Sequence, residues 1–319
     1  MINLILIILI IYLCYLNLQN INISNYIMNF YNKYLKYKSK YIKFNECFKN
    51  YNDDLNYIMN LTREFSIYRP IESDNLNYVK KRIIEEMTKI GLKINVQNFI
   101  RNINGRNYKF SNLVGQNYNV SSGFTLLGVH IDSPQIDGCQ SSIDAATGIA
   151  INLMLAKKLL GINKNYPIML LFIDGEEAID GPWSSTNTLS GSSYFVDNYD
   201  LNIINKVYII DLIGGDIEDN KIAAFSNNKS TFNDLEKLSK INQKNFDKQI
   251  FINPNDFVSD IAIEDDHVPF VKKGKYSLNL IPYKFPKQHH KLTDTYDNVN
   301  WIYIEIFYKT FLLFLYSFI

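Results

Sequence analysis

The sequence predicts an α/β fold: a single domain with a mixed, mostly parallel open sheet and helices on both of its faces. Four short, continuous apolar runs have the length of buried parallel strands, and they lie at 124–130, 167–173, 207–213 and 276–281. Helical segments alternate with these runs, as they do where crossover helices cover both faces of a parallel sheet. No repeat or second domain boundary interrupts the pattern between residues 51 and 319.

The remaining elements follow in chain order. Two amphipathic helices are predicted at 52–65 and 74–90; Ser73 or Asp74 is a suitable N-cap for the second, and Gly91 ends it. The other expected elements are strands at 93–100 and 108–114 and an apolar helix at 144–160 that is closed by Gly161.

The C-terminal segment 301–319 is strongly apolar, but it carries Glu305 and Lys309 four residues apart, which is the spacing of a helical ion pair. A helix that faces lipid would rarely carry both charges. We therefore predict a closing helix that packs on the sheet.

The N-terminal residues 1–18 form an uncharged apolar run. Its length lies between that of a signal-peptide core and a membrane span of about 20 residues. It lacks both a basic start and small residues at a cleavage site, so residues 1–20 are predicted to be an uncleaved signal-anchor, with a cleaved signal peptide as the alternative. The Lys-rich segment 21–50 is predicted to be a linker. The expected location is the secretory pathway, membrane-anchored or secreted; because positive charge tends to remain cytoplasmic, the orientation stays open.

Composition bears on the function class and on the cysteines. The chain has 33 Lys and Arg against 32 Asp and Glu, and this balance argues against nucleic-acid binding, which needs a basic face. A hydrophobic content of 47% supports a large buried core. Cys14 lies in the apolar leader; Cys47 and Cys139 could form a disulfide in an oxidising compartment, although no spacing rule supports the pair.

Carboxylates and imidazoles follow several predicted strands at the point where each strand ends. In open α/β sheets, ligands bind at the carboxyl ends of the strands, so these side chains are expected to gather at one edge. They are His130, Asp132, Asp174, Glu176, Glu177, Asp211, His289 and His290, together with Asp144 at the start of the helix 144–160.

This clustering favours a metal site. Taken singly, Asp144 has an ordinary explanation as a helix cap, and Glu176 and Glu177 as a solvated turn. Asp211 differs, because it lies in an apolar run where an unpaired charge is costly to bury. Asp, Glu and His without thiolate suit Zn²⁺ at a catalytic centre with three protein ligands and one open position, whereas Mg²⁺ and Ca²⁺ prefer oxygen ligands alone.

Six segments together resemble the superfamily of co-catalytic zinc aminopeptidases and, within it, the glutaminyl cyclases (glutaminyl-peptide cyclotransferases). They span about half of the chain and read HIDS at 130–133, SIDAATGIA at 142–150, FIDGEEA at 172–178, IIDLIGG at 209–215, EDDHVPFVKKG at 264–274 and LIPYKFPKQHH at 280–290. The resemblance implies the zinc-aminopeptidase (phosphorylase/hydrolase-like) fold for residues 51–319.

The resemblance also implies roles for individual residues. One zinc ion per chain would be bound by Asp144, Glu177 and His290, and Glu176 would be the general base and acid. An acidic hydrogen-bond network would be formed by Asp211 and Asp265, and the substrate pocket would be lined by Trp183, Ile263 and Phe285.

The sequence departs from the family pattern in the pocket region. His289 occupies a place where the family usually has Trp, and Asn279 replaces a His that is common in the animal enzymes. One extra residue lies in the stretch 179–182 before Trp183. These departures concern the pocket wall and the substrate preference rather than the implied metal ligands.

The implied reaction is cyclisation of an N-terminal glutamine of a peptide or protein to pyroglutamate, with release of ammonia. The alternative is a two-zinc metalloaminopeptidase that hydrolyses N-terminal residues, in which His130 and Asp211 would bind the second metal and Glu176 would activate a water molecule. A third possibility is a catalytically inactive domain that has kept the sheet; the presence of every implied ligand and of the base argues against it.

Overall fold

The computed structural model describes residues 31–32, 48, 50–223, 229–256 and 263–318. The chain divides into two compact units, 1–49 and 50–319, and the elements below all belong to the second. The predicted leader 1–20 and Cys47 lie outside the described residues, as does nearly all of the predicted linker. Cys139 is buried and has a free thiol.

A seven-stranded sheet forms the centre of this unit, in the order β1-β2-β4-β3-β5-β7-β6. Strands β4, β3, β5 and β7 are mutually parallel and central, while the outer pairs β1/β2, β2/β4 and β6/β7 are antiparallel. The predicted mixed α/β sheet is therefore confirmed. The strands are β1 Lys93–Ile103, β2 Arg106–Gln116, β3 Phe124–His130, β4 Ile168–Ile173, β5 Ile204–Ile210, β6 Lys221–Ala223 and β7 Ser277–Tyr283.

Helices cover both faces of the sheet. On one face, Phe195 of α4 and Phe270 of α6 pack in one core cluster with Leu126 of β3. On the other face, Gly148 of α3 lies against Val129, whose side chain points away from Leu126 because strand side chains alternate. The helices are α1 Tyr51–Phe65, α2 Asp74–Ile90, α3 Thr147–Ile162, α4 Ser190–Asn198, α5 Lys229–Asn245, α6 His267–Lys272 and α7 Trp301–Tyr316.

Several predicted boundaries are wrong by a few residues. The strands predicted at 93–100 and 108–114 extend to Ile103 and over Arg106–Gln116. The helix predicted from residue 144 begins at Thr147, so Asp144 precedes it.

The central helix does not close at Gly161 but continues to Ile162, because nothing at Gly161 requires a left-handed backbone. Strand β5 ends at Ile210, so Asp211 lies directly after the strand rather than within it. The short elements α4, α6 and β6 and the polar helix α5 have no counterpart among the predicted elements.

The apolar C-terminal segment is a core helix, as predicted. Most side chains of α7 are buried, and Lys309 Nζ lies 2.6 Å from Glu305 Oε1. Within the part of the chain that the structure describes, the one helical stretch long and apolar enough to cross a membrane is Ser142–Ile162, and most of it is buried inside the protein. These two helices therefore form part of the hydrophobic core. The polar residues that follow the parallel strands lie at the carboxyl ends of those strands.

Candidate active site

A cavity of about 650 Å³ lies where the parallel strands end. It is formed by the segments that follow β4, β5 and β7 and by the start of the helical segment that precedes α3. All of the predicted site residues except His130 line it; they are Asp144, Glu176, Glu177, Trp183, Asp211, Ile263, Asp265, Phe285 and His290. The topology therefore brings together residues that lie up to about 150 positions apart in sequence.

The three implied metal ligands converge on one wall of the cavity. His290 Nε2 lies 3.1 Å from Glu177 Oε2 and 3.5 Å from Asp144 Oδ2. Glu177 Oε1 and Asp144 Oδ2 are buried and accept no hydrogen bond. Buried carboxylate oxygens without a donor are costly, and a cation bound between them would remove that cost. This donor set of two carboxylates and one imidazole fits Zn²⁺.

A second group of possible ligands adjoins the first. His130 is buried at the end of β3, and its Nε2 lies 2.9 Å from Asp144 Oδ1 and 3.2 Å from Asp211 Oδ1. Burial opposes protonation of this imidazole, but hydrogen bonds to Asp132, Asp144 and Asp211 outweigh it and raise the pKa of His130 well above its usual value. Asp144 is shared by both groups.

His289 also approaches the implied ligands. Its Nε2 lies 4.0 Å from Asp144 Oδ2, and its ring lies 3.8 Å from that of His290 between centroids. Burial lowers the pKa of His289 to about 4, so this imidazole is neutral at neutral pH and can offer a lone pair. The clustering of polar residues in the sequence included His289, but the family resemblance assigned the metal-ligand role to His290 alone.

Glu176 is a buried carboxyl group that directly precedes the implied metal ligand Glu177 in the sequence. Burial raises the pKa of Glu176 well above its usual value, and the charges of Glu177, Asp265 and Asp266 add to this effect. A carboxyl group with a raised pKa can both accept and return a proton near neutral pH. This environment is the one that a general acid and base requires.

The turn that carries Glu176 and Glu177 is held by Asp132, whose role the sequence did not reveal. Asp132 Oδ1 accepts a hydrogen bond from Glu176 N at 3.2 Å, and Oδ2 accepts one from Glu177 N at 3.1 Å. Gly175 has φ +75°, and a Cβ at this position would lie 2.3 Å from the ring of Phe110. The tight turn therefore needs glycine, and Asp132 satisfies the two backbone N–H groups that follow it.

Asp265 and Asp211 lie around the same cavity but have different partners. Asp265 Oδ2 accepts a hydrogen bond from Asn279 Nδ2 at 2.7 Å, and its other oxygen accepts one from the backbone N–H of Asp266. Asp211 contacts His130 and accepts a hydrogen bond from Leu212 N at 2.8 Å. Among the described residues no hydrogen bond joins Asp211 to Asp265, but burial and the charge of Asp265 both raise the pKa of Asp211.

Aromatic side chains form the apolar wall of the cavity. Trp183 is 38% exposed and Phe285 is 40% exposed, so both rings present apolar surface at the cavity. The ring edge of Phe285 packs against His289 at 4.9 Å between centroids. Exposed aromatic rings at the mouth of a polar cavity are typical of small-ligand sites.

The loop that carries Trp183 is fixed by polar contacts from its own residues and from β1. Asn187 Nδ2 donates to the carbonyls of Ile179 and Pro182 at 2.9 and 3.0 Å. The guanidinium of Arg101, on β1, donates to the carbonyls of residues 185, 186 and 188 and to Ser190 Oγ. The position of this wall therefore depends on the antiparallel edge of the sheet.

A separate cavity of about 690 Å³ lies between α2 and the β1–β2 hairpin, and none of the predicted site residues lines it. Its lining includes Lys80, which forms an ion pair with the buried Asp174 at 2.6 Å. Asp174 also accepts a hydrogen bond from Ser111 N. The ion pair supports the turn that carries Glu176 from the side opposite to the candidate active site.

Comparison with known proteins agrees with this geometry. The family model described as Peptidase family M28 matches residues 112–315. Three similar curated proteins are each described as glutaminyl-peptide cyclotransferase. That of Bothrops jararaca is 26% identical over 230 residues, covering 60% of this chain and 61% of that protein. That of Dictyostelium discoideum is 31% identical over 206 residues (57% and 53%), and that of Drosophila melanogaster is 25% identical over 252 residues (72% and 71%). The chain thus spans about three fifths of the first of these relatives.

Solved structures show the same fold. The crystal structure of Macrostomum lignano glutaminyl cyclase matches with a TM-score of 0.73 and 22% identity, covering 82% of this chain and 88% of that one. A zinc-dependent exopeptidase from Parabacteroides distasonis matches with a TM-score of 0.67 and 16% identity, covering 84% and 98%. At these identities the two likenesses concern the fold alone.

We expect the metal-free protein to lose stability as the pH rises from about 4 to about 9. Burial raises the pKa of Glu177, Asp211 and Asp294 to about 7. For His290, burial acts in the opposite direction, but Glu177 raises its pKa to about 9. The folded state therefore binds these protons more tightly than the unfolded chain does, and the stability that they contribute is lost as they dissociate. The contribution of the carboxyl groups is lost between their unfolded pKa of about 4 and their folded pKa of about 7, and that of His290 between about 6.5 and about 9.

The measurement is the thermal unfolding temperature of chelator-treated protein across this pH range. An unfolding temperature that stays constant or rises with pH would contradict the assignment of raised pKa values to this cluster.

Proposed function

The chain belongs to peptidase family M28, and we propose that within this family it is a zinc-dependent glutaminyl-peptide cyclotransferase. Its substrate would be a peptide or protein with an N-terminal glutamine, and its products pyroglutamate and ammonia. The observation that supports this proposal most directly is that one cavity contains Glu176, the three implied zinc ligands and the apolar wall residues. The similar curated proteins described as cyclotransferases support it independently.

One zinc ion per chain is proposed, with Asp144, Glu177 and His290 as its ligands. The buried oxygens of Asp144 and Glu177 that lack a hydrogen-bond donor support this assignment. A zinc ion bound there supplies a Lewis acid that polarises the γ-amide carbonyl of the substrate. Three protein ligands leave the open position that such a role requires.

Glu176 is proposed to move the proton. The substrate's α-amine nitrogen forms a bond with its own γ-carbonyl carbon, and the bond from that carbon to the amide nitrogen breaks. Glu176 accepts a proton from the α-amine and delivers one to the departing nitrogen, which leaves as ammonia. Ring closure is intramolecular, so the pocket has only to hold the glutamine side chain in a bent conformation.

The apolar wall is proposed to hold that side chain. Trp183, Ile263 and Phe285 line the same cavity as the implied ligands. Because their rings and side chains exclude water, the hydrogen bonds and the charge of Glu176 act in a medium of low dielectric constant. Asp265 would assist by raising the pKa of Glu176, in keeping with the effect of its charge.

A two-zinc aminopeptidase is the second candidate. The observation that favours it is the buried group of His130, Asp144 and Asp211, whose ligand atoms lie within 4.8 Å of one another beside the first group. In that reaction Glu176 would activate water for hydrolysis of the first peptide bond. The two functions share every polar residue and differ in product.

The cellular location belongs to the same proposal. Residues 1–18 are proposed to anchor the protein in a membrane of the secretory pathway or to direct its secretion. A cyclotransferase in that compartment would encounter peptides and proteins whose N-termini have been exposed by processing.

Product analysis tests the proposal. Purified zinc-loaded protein is incubated with a peptide that begins with Gln and with a matched peptide that begins with Leu. We expect stoichiometric release of ammonia from the first peptide, which keeps its length, and no change in the second. Release of free Gln or Leu would show that the protein is an aminopeptidase. The absence of any reaction with either peptide would show that the domain is catalytically inactive.

Replacement of Glu176 by Gln is expected to lower kcat by at least about 100-fold, because an amide cannot accept the proton from the α-amine. Zinc content should remain that of the wild-type protein, since Glu176 is not one of the proposed ligands. The measurement combines the rate of ammonia release with metal analysis of the same sample. Retention of wild-type kcat by Glu176→Gln would exclude Glu176 as the general base.

A further inference from the structure

A fully buried arginine lies beside the loop that presents Asp144. The five N–H groups of the Arg69 guanidinium face six acceptors, three of which share the two N–H groups of Nη1, and every acceptor is a backbone carbonyl. In the described ranges, no acidic side chain lies within ion-pair distance of it. The six acceptors are the carbonyls of Phe65, Ile67, Ile131, Gln140, Ser141 and Asp144, at 2.8–3.4 Å.

The position of this charge is informative, because a buried guanidinium is costly unless another charge compensates it. Burial lowers the pKa of Arg69, and the charges that oppose this effect belong chiefly to Asp144, Asp294 and Asp132. Arginine remains protonated in proteins, so its positive charge persists beside the acidic site. Arg69 therefore compensates the site carboxylates at a distance and leaves their oxygens free.

Asp294 holds the same loop through the loop's backbone N–H groups, whereas Arg69 holds it through the loop's backbone carbonyl groups. Asp294 Oδ1 accepts a hydrogen bond from Ile143 N at 2.7 Å, and Oδ2 accepts one from Asp144 N at 3.2 Å. The carbonyl of Asp144 accepts from Arg69 Nη2 at 3.4 Å. Asp144 is thus fixed through both its N–H and its C=O group.

The side chain of Asp144 shows why such fixing matters. Its Oδ1 contacts His130, whereas Oδ2, which lies 3.5 Å from His290 Nε2, has no hydrogen-bond partner. His130 orients the carboxylate through Oδ1, and the backbone has to fix the point from which the side chain extends toward His290. The backbone of Asp144 departs from helical geometry, with φ −115° and ψ 76°, so the adjoining helix α3 does not fix it either.

We propose that Arg69 and Asp294 are positioning residues that together hold Asp144 in place for a bound divalent metal ion. This inference rests on the proposed function in so far as it assigns Asp144 as a metal ligand. Arg69 supplies donors for carbonyls on both sides of the loop, and Asp294 supplies acceptors for the N–H groups. Neither residue touches the substrate.

The test compares Arg69→Lys and Asp294→Asn with the wild-type protein. Lysine keeps the charge of residue 69 but cannot reach six carbonyls, and asparagine keeps the size of residue 294 but loses one acceptor. We expect the zinc dissociation constant, measured by competition with a chromogenic chelator, to rise by about 10- to 100-fold in each variant. The visible absorption spectrum of the Co²⁺-loaded variants should also differ from that of the wild-type protein, because the ligand geometry is altered.

Two control variants separate this role from a general loss of stability. Arg101→Lys removes another guanidinium that binds backbone carbonyls, and Asp234→Asn removes another buried carboxylate, which accepts hydrogen bonds from Lys206 and Tyr208. Neither Arg101 nor Asp234 contacts the loop of Asp144. Both controls should unfold at a lower temperature yet keep the wild-type zinc dissociation constant and Co²⁺ spectrum.

Folded Arg69→Lys and Asp294→Asn proteins with wild-type metal affinity and spectrum would overturn the inference, and if Arg69→Lys does not fold, Asp294→Asn decides alone. These readouts do not depend on turnover. A wild-type protein that binds zinc through Asp144 but forms no pyroglutamate would refute the proposed reaction and leave this inference standing. A wild-type protein that binds no metal would refute both.

Discussion

The main constraint on this structure is that several carboxyl groups are buried next to one another. Asp144, Glu176, Glu177, Asp211 and Asp265 all line one cavity, and their mutual repulsion adds to the cost of removing them from water. The raised pKa values of Glu177 and Asp211, both to about 7, express this cost directly. A bound cation would offset this cost, so the proposed metal binding and the proposed acid-base role of Glu176 would both follow from the same arrangement.

The scaffold holds Asp144, Glu176 and Glu177 through their backbone, whereas Asp211 and Asp265 accept hydrogen bonds through their carboxylate oxygens. Asp132 accepts the N–H groups of the Glu176–Glu177 turn, and Asp294 accepts those of the Asp144 loop. Arg69 supplies the positive charge without forming an ion pair in the described part of the chain. As a result, the carboxylate oxygens that face the cavity are left for a ligand. A site built this way is rigid before any ligand arrives, as catalysis by preorganised groups requires.

Much of this could be predicted from the sequence. The continuous apolar runs of β3 and β4 and the charged residues directly after them gave the parallel centre and the edge at which the site lies. The resemblance supplied residues that no local pattern marks, such as Ile263 and Phe285. Asp132 stood in the quoted motif, two residues after His130, but nothing in the sequence says which N–H groups its carboxylate accepts.

Other features could not be predicted, because they depend on contacts between distant segments. Arg69 precedes Pro70 in an ordinary loop, and its six acceptors extend to Asp144, which follows it by 75 residues. Asp294 lies 150 residues after Asp144. The strand β6 has only three residues and is too short to show a period. By contrast, the helix α5 is polar overall but amphipathic, with Leu235 and Leu238 buried on one face, so its apolar spacing could have been recognised in the sequence.

The number and place of bound zinc ions test the central claim most directly, because both candidate reactions use the same carboxylates. The measurement is a crystal structure of the zinc-loaded protein with anomalous scattering recorded at the zinc absorption edge. We predict one zinc per chain, coordinated by Asp144, Glu177 and His290. A second zinc between His130 and Asp211, or a metal that leaves Asp144 uncoordinated, would contradict it.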